Sequence, residues 1–149
     1  VSSLSMLSLG AVGLSHAVES RREHETETLT EQDASRDQAI ITNLDHYLEQ
    51  QKPYLDPDLT LARLARKLVV PAKQLSAAIN RNKNENVSRY INRHRIEHAC
   101  RLMGQGKSVT TAMYDSGFNT KSNFNREFSA IKNSPPSKWQ ALANKQPSP

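Results

Sequence analysis

The stretch GFNTKSNFNREF, residues 117–128, decides how this chain folds. Phe124 and Phe128 are four residues apart, which places both rings on one face of a helix. A second face carries hydrogen-bonding side chains, namely Lys121, Ser122, Asn125 and Arg126. With a helical repeat of about 100° per residue, the centres of the two faces lie roughly 120° apart. One face can therefore pack while the other stays exposed.

The same arrangement occurs once more, earlier in the chain. Val70 corresponds to Phe118 at an offset of 48 residues, and Leu75 corresponds to Phe124 at an offset of 49. In each copy, a short apolar helix and a tight turn precede a helix with a polar face, predicted at about 71–81 and about 120–130. The outward face of the earlier helix carries Lys73, Ser76, Ala77 and Asn80. Two copies indicate paired subdomains rather than a solenoid.

The remaining periodicity predicts an all-α chain with a long helix from about Val87 to Met103 between the two copies. Apolar residues at helical spacing predict a further helix at 38–52, and the helix ends there because Pro53 disfavours helix in the residue before it. This helix could dimerise or pack on the domain. We assign 53–142 to one domain, whose last part is a loop and a short helix with Trp139, and 143–149 to a tail.

The first 37 residues read as a linker, disordered or loosely helical, because large apolar residues are rare in 19–37. Residues 1–18 lack charge and contain five Ser and two Gly, which is short for a membrane span of about 20 residues. We interpret them either as the end of a membrane span or as an unstructured terminus. Because the sequence starts with Val1, we expect a piece of a longer protein.

Charge is divided unevenly along the chain. Residues 1–58 hold 4 basic and 11 acidic side chains, whereas 59–149 hold 16 basic and 4 acidic ones. So basic a domain favours a polyanionic partner. The single Cys100 excludes an internal disulfide framework.

Two helices joined by a tight turn, with a polar face on the second, are the helix-turn-helix pattern, whose second helix enters a major groove of DNA. Arg126 can donate two hydrogen bonds to guanine, and Asn125 can pair with adenine. Lys121 could reach a base or a phosphate, and Ser122 can donate or accept. Ala77 offers only a methyl contact. We therefore expect the second unit to carry at least as much hydrogen-bonding specificity as the first.

Three segments together resemble one family of transcription regulators. They are LTLARLARKLVVPAKQLSAAIN (59–80), NVSRYINRHRIEHACRLM (86–103) and SVTTAMYDSGFNTKSNFNREFSAIKNSPPSKW (108–139). The pattern is similar to the DNA-binding domain of AraC/XylS-type regulators over about 59–140. Where members often have Gly in the first turn, this chain has Val69, which puts the turn geometry in question. Where a Gly commonly precedes the long helix, it has Asn84, which tolerates left-handed geometry.

The resemblance implies two homeodomain-like helix-turn-helix subdomains joined by a long linker helix, with double-stranded DNA as partner. Its base-reading positions fall on Lys73, Ser76, Ala77, Lys121, Ser122, Asn125 and Arg126. It implies no cofactor, no metal and no enzymatic activity. Further partners would be RNA polymerase, a second copy of the chain through regions outside the DNA-binding domain, and an upstream sensor domain. The stretch KPYLDPDLTL (52–61) looks like the subset with a membrane sensor, which would tether a cytoplasmic domain to the inner face of a membrane.

Two alternatives remain at this point. The same fold could serve as a protein-interaction module that holds a partner on its surface. Alternatively, HRIEH (94–98) matches the H-x-x-E-H motif of inverted zinc peptidases, with His94 and His98 on one helix face. A catalytic zinc needs a third protein ligand, however, and no further His follows in the chain. Cys100 is expected to be a small packing residue rather than a reactive thiol.

Overall fold

The computed structural model describes residues 31–145. Helix α1 covers 31–51, and a 3-10 turn at Pro53–Leu55 follows it. The remaining helices are α2 (Leu61–Leu68), α3 (Ala72–Lys83), α4 (Val87–Gly104), α5 (Val109–Asp115), α6 (Lys121–Lys132) and α7 (Pro136–Lys145). The described residues contain no strand, which confirms the all-α class.

Two hydrophobic cores divide the described residues into two units. The first core joins α1, the 3-10 turn, α2, α3 and the start of α4, and the second joins the rest of α4 with α5, α6 and α7. Within α4, Tyr90 and Ile91 belong to the first core, whereas Ile96 and Met103 belong to the second. The long helix therefore connects the two units, as expected.

The two helix-turn-helix units repeat at the level of single backbone hydrogen bonds. The N–H of Val70 donates to the carbonyl of Ala65 over 3.1 Å, and the equivalent N–H of Phe118 donates to Met113 over 3.2 Å. The residue before each donor is left-handed, with φ 56° at Val69 and 94° at Gly117. The turn thus keeps its geometry in the first unit although a β-branched residue takes the place of glycine.

The polar-faced helices α3 and α6 also end alike. Asn84 (φ 56°) and Asn133 (φ 57°) are left-handed, and each donates its N–H to a carbonyl four residues back. The expected tolerance of Asn84 for this geometry is confirmed. Both helices end two residues later than the sequence predicted, at Lys83 and at Lys132. Helix α3 begins at Ala72, one residue after the predicted start, and Pro71 occupies its N-cap.

Helix α1 packs on the first core and begins earlier than its apolar pattern suggested. Its buried residues are Ile40, Ile41, Leu44 and Leu48. The helix already includes residue 31, seven residues before the predicted start at 38. The carboxylate of Asp37, 5% exposed, accepts two hydrogen bonds from Arg81 of α3. Hydrophobic periodicity cannot register such a polar tertiary contact.

The last helix, α7, reaches Lys145 and so includes three residues predicted as tail. No helix within 31–145 has the length and hydropathy needed to cross a membrane. The interpretations of 1–18 and 19–30, and of the tail from 146 onward, fall outside the described residues.

Candidate nucleic-acid interface

Helix α6 separates its two faces as the sequence predicted. The hydroxyl of Thr120 caps the helix by accepting a hydrogen bond from the N–H of Asn123 over 3.3 Å. Phe124 and Phe128 are fully buried, and their rings lie 5.6 Å apart. The opposite side chains reach solvent: Lys121, Ser122 and Arg126 are exposed, and Asn125 is half-buried.

Helix α3 shows the same separation with smaller side chains. Leu75, Ala78 and Ile79 are completely buried. Of the predicted readers in this helix, Lys73 and Asn80 are exposed, whereas Ser76 and Ala77 are half-buried. All eight predicted positions therefore lie on exposed or partly exposed helix surface.

The residues predicted to read bases do not all line the same concave surface. Ser76 of α3 and Arg126 of α6 line one cleft of about 720 Å³, which we call the central cleft. The start of α2 and the start of α4 also line it. Lys121 and Asn125 instead line a groove on the other flank of α6, together with the start of α5 and residues 135–137. The face of α6 thus extends between two concave surfaces.

Neighbours that sequence reasoning missed hold Arg126 in place. Its Nη2 donates to the side-chain oxygen of Asn123 over 2.8 Å, and its Nε lies 3.8 Å from Oε1 of Glu127. Glu127 also lies 3.4 Å from Nε of Arg89, in the first turn of α4. The signal available in the sequence was that Glu127 is the single acid on this helix. The periodicity could not show that its carboxylate is 10% exposed.

Three of the four acids in residues 59–149 pair with specific cations. Glu97 accepts from Lys132 over 2.7 Å, and Glu85 pairs with Arg93. Glu127 pairs with Arg89 and Arg126. Among the described residues, these acids leave Lys73 and Lys121 without an ion pair. Lys73 and Lys121, one on each polar face, are therefore available to an external anion.

The HRIEH motif belongs to the packing around the first core. The ring of His94 stacks on Tyr54 at 5.5 Å and meets Tyr90 edge-on at 4.9 Å. Burial lowers the pKa of His94 and also that of His98. Glu97 is engaged by Lys132. Within 31–145, no three potential ligands gather as a metal site would require.

Cys100 packs against the second core, as expected. The residue is 7% exposed, and burial raises the pKa of its thiol to about 11. The thiolate is therefore scarce at neutral pH, which makes the side chain unreactive.

Two helix-turn-helix units on one connecting helix, each with an exposed polar face, define the class as a double helix-turn-helix domain. Solved structures share this fold. A transcriptional regulator with an AraC-type DNA-binding domain from Chromobacterium violaceum is 21% identical with a TM-score of 0.64, covering 76% of this chain and 99% of that one. A DNA-binding transcriptional dual regulator from Escherichia coli K-12 is 19% identical with a TM-score of 0.61, over 72% and 94% of the two chains.

A third structure, the C-terminal domain of the response regulator AraT from Geobacillus stearothermophilus, is 22% identical with a TM-score of 0.61, over 69% of this chain and 84% of that one. Comparison with curated proteins found no significant match.

The helix-turn-helix domain family matches residues 64–141 of the 149. The chain belongs to this family, in its AraC-type branch. It is a DNA-binding transcription regulator.

Proposed function

We propose that the chain recognises a specific DNA sequence by placing α3 and α6 in two successive major grooves. The observation that carries this proposal is the repeated unit itself, with equivalent turn hydrogen bonds and an exposed polar face in both copies. The major groove is about 12 Å wide and admits one helix. Successive grooves on one side of the duplex are about 34 Å apart, so one molecule would cover roughly 15–20 base pairs.

The proposed readers have distinct roles. Arg126 donates a bidentate pair to guanine, and Asn125 pairs with adenine. Lys121, near the start of α6, contacts a base or a phosphate, and Ser122 donates or accepts one bond. In α3, Lys73, Ser76 and Asn80 form the polar contacts, and the methyl group of Ala77 packs against thymine.

The bonds that Arg126 already makes support its role. Its side chain is 74% exposed, and its guanidinium is nevertheless held by Asn123 and Glu127. A side chain that is oriented before binding loses less conformational freedom when it meets a base. Nothing comparable constrains Lys73 in α3 among the described residues. This difference supports the expectation that the second unit carries at least as much specificity as the first.

The direct test begins with in vitro selection of DNA sequences by the purified protein. Each base of the selected site is then varied, and affinities are measured for Lys73→Ala, Ser76→Ala, Asn125→Ala and Arg126→Ala. We expect Arg126→Ala and Asn125→Ala to cost about 1–3 kcal/mol at single base positions and to relax the preference there.

Arg66→Ala is the control for this scan. Arg66 is exposed on α2 and belongs to neither reading helix, so its removal should weaken all sequences to the same extent. Larger specificity losses from Lys73→Ala and Ser76→Ala would show that the first unit carries more of the specificity than the second. Failure to enrich any sequence would favour the protein-interaction module.

We also propose the further partners that the resemblance implied: RNA polymerase, a second copy of the chain and an upstream sensor domain. An upstream sensor domain that spans a membrane would tether the chain to the inner face of that membrane. The apolar face of α1 is buried in the first core, so a dimer would form through other regions. Light scattering of a longer form that includes the preceding segment, with and without detergent, separates a soluble dimer from a membrane-bound form.

A further inference from the structure

The two helix-turn-helix units contact each other sparsely within the described residues. Neither α2 nor α3 packs extensively on α5 or α6, and the central cleft lies between the units. Their relative position therefore depends on α4 and on side chains that bridge from one unit to the other. Two arginines of α4, Arg89 and Arg95, form such bridges.

Arg95 binds the connection that precedes α2. Its Nε donates to the carbonyl of Tyr54 over 2.7 Å, and its Nη2 donates to the carbonyl of Asp56 over 3.0 Å. Its guanidinium also lies 5.9 Å from the centre of the Phe118 ring, in the turn of the second unit. This bridge is close to the middle of α4 and reaches the turn of the second unit rather than α6.

Arg89 forms the bridge that reaches a reading helix. It lies in the first turn of α4, next to Tyr90 of the first core, and its Nε is 3.4 Å from Oε2 of Glu127 in α6. This oxygen is buried and accepts no hydrogen bond among the described residues. A buried carboxylate is costly unless a cation compensates it. Glu127 therefore resists any movement of α6 that takes it away from Arg89.

We propose that the Arg89–Glu127 ion pair positions α6 relative to α3 and thereby sets the spacing between half-sites that the protein accepts. The proposal rests on the proposed function, in which both helices read DNA. Arg89 and Glu127 act as positioning residues: neither needs to touch a base. One added base pair shifts a half-site by about 3.4 Å and rotates it by roughly a tenth of a turn, so a rigid pair of units discriminates against it.

The test compares three DNA fragments: the selected site, the same site with one base pair inserted between its half-sites, and the site with one removed. Binding is measured for the unaltered protein, Arg89→Gln, Glu127→Gln and the double variant. We expect the unaltered protein to prefer the selected spacing by about tenfold or more, as for loss of well-placed base contacts. Each single variant should reduce that preference at least about threefold, and the double variant should add little, because the two residues form one interaction.

Arg93→Gln is the matched control. Arg93 lies on the same helix and pairs with Glu85, so that pair does not cross the central cleft. Its removal takes away one positive charge, as Arg89→Gln does, but should leave the spacing preference unchanged. An equal loss of affinity of Arg89→Gln for all three fragments would show that Arg89 only contacts phosphate, and would overturn the proposal.

A second measurement needs no DNA. Spin labels at Gln74→Cys and Ala130→Cys, both at exposed positions of α3 and α6, report the distance between the helices by pulsed electron paramagnetic resonance. Cys100 is buried and should not react with the label. The distance distribution should broaden with Arg89→Gln and stay narrow with Arg93→Gln. An unchanged distribution overturns the proposal, whereas failure to select any DNA sequence overturns the proposed function instead.

Discussion

The side chain of Arg81, near the end of α3, donates two hydrogen bonds to the carboxylate of Asp37 in α1, over 2.6 and 2.9 Å. Asp37 is buried, and the two residues are 44 positions apart. The contact joins the helix that precedes the double helix-turn-helix domain to the end of a proposed reading helix. Bidentate pairs of this kind add geometric specificity as well as energy.

Replacing Asp37 with Asn should lower the free energy of unfolding, because a neutral amide cannot accept both guanidinium bonds. Urea denaturation followed by circular dichroism measures the change. Asp33→Asn is the matched control: Asp33 is about half exposed and pairs with Arg36 at 3.6 Å within α1, so its replacement should have little effect. Equal destabilisation by both variants would contradict a special role for the Asp37–Arg81 pair.

Gly117→Ala should destabilise the protein by about 2–5 kcal/mol, since it combines left-handed strain with overpacking. A Cβ at this position would lie 2.5 Å from the carbonyl oxygen of Tyr54 and 3.0 Å from that of Leu55. Gly106 has nearly the same φ, 93°, but a Cβ there meets nothing within 4 Å. Gly106→Ala should therefore cost only about 1–2 kcal/mol. A similar loss of unfolding free energy for the two variants in urea would show that the close contact of Gly117 with the Tyr54 carbonyl does not matter.

Val69→Gly should stabilise the protein by about 0.5–1 kcal/mol. A β-branched residue at φ 56° is strained, and the strain is relieved by glycine, partly offset by the greater freedom of the unfolded chain. Because the side chain is 88% exposed, little packing is lost. Asn84→Gly, at the same φ, should change stability less, since Asn tolerates the left-handed region. A less stable Val69→Gly protein would show that the valine is not strained.

Stability should decrease as the pH falls below about 6.5, the ordinary pKa of histidine. Burial lowers the pKa of His94 in the folded state, so the unfolded chain takes up protons first as the pH falls. The loss of stability is absent above the pKa of His94 in the unfolded chain and complete below the pKa of His94 in the folded protein. His94→Gln should reduce the difference in unfolding free energy between pH 7.5 and pH 5. Part of the dependence should persist through His98, whose pKa burial also lowers.

DNA affinity should fall steeply with salt, because each neutralised phosphate contributes about −0.9 to the slope of log K against log salt concentration. Lys121→Ala should reduce the magnitude of that slope by about one unit if the lysine contacts a phosphate, and leave it unchanged if it contacts a base. Fluorescence anisotropy between 50 and 300 mM salt, roughly the range over which such slopes are measured, provides the values. An affinity independent of salt would contradict the proposed mechanism.

The sequence by itself determined the helices, the repeat and the division of α3 and α6 into two faces. The helices and their faces depend on residues within a few positions of one another, as Phe124 and Phe128 do, so periodicity is enough to locate them. The repeat is the same local pattern found again at an offset of 48 to 49 residues. Helix ends were less accurate. Helix α3 extends to Lys83 because the left-handed residue that caps its C-terminus is Asn84.

Only the tertiary structure decided which distant groups meet. It buried Asp37 against Arg81, brought the backbone of Tyr54 up to Gly117, and placed the carboxylate of Glu127 beside Arg89. These contacts join residues far apart in the chain, and their energies depend on burial and on relative orientation, which no local pattern encodes. For the same reason the sequence could choose the candidate readers, whereas the cleft shared by Ser76 and Arg126 became visible only in the folded molecule.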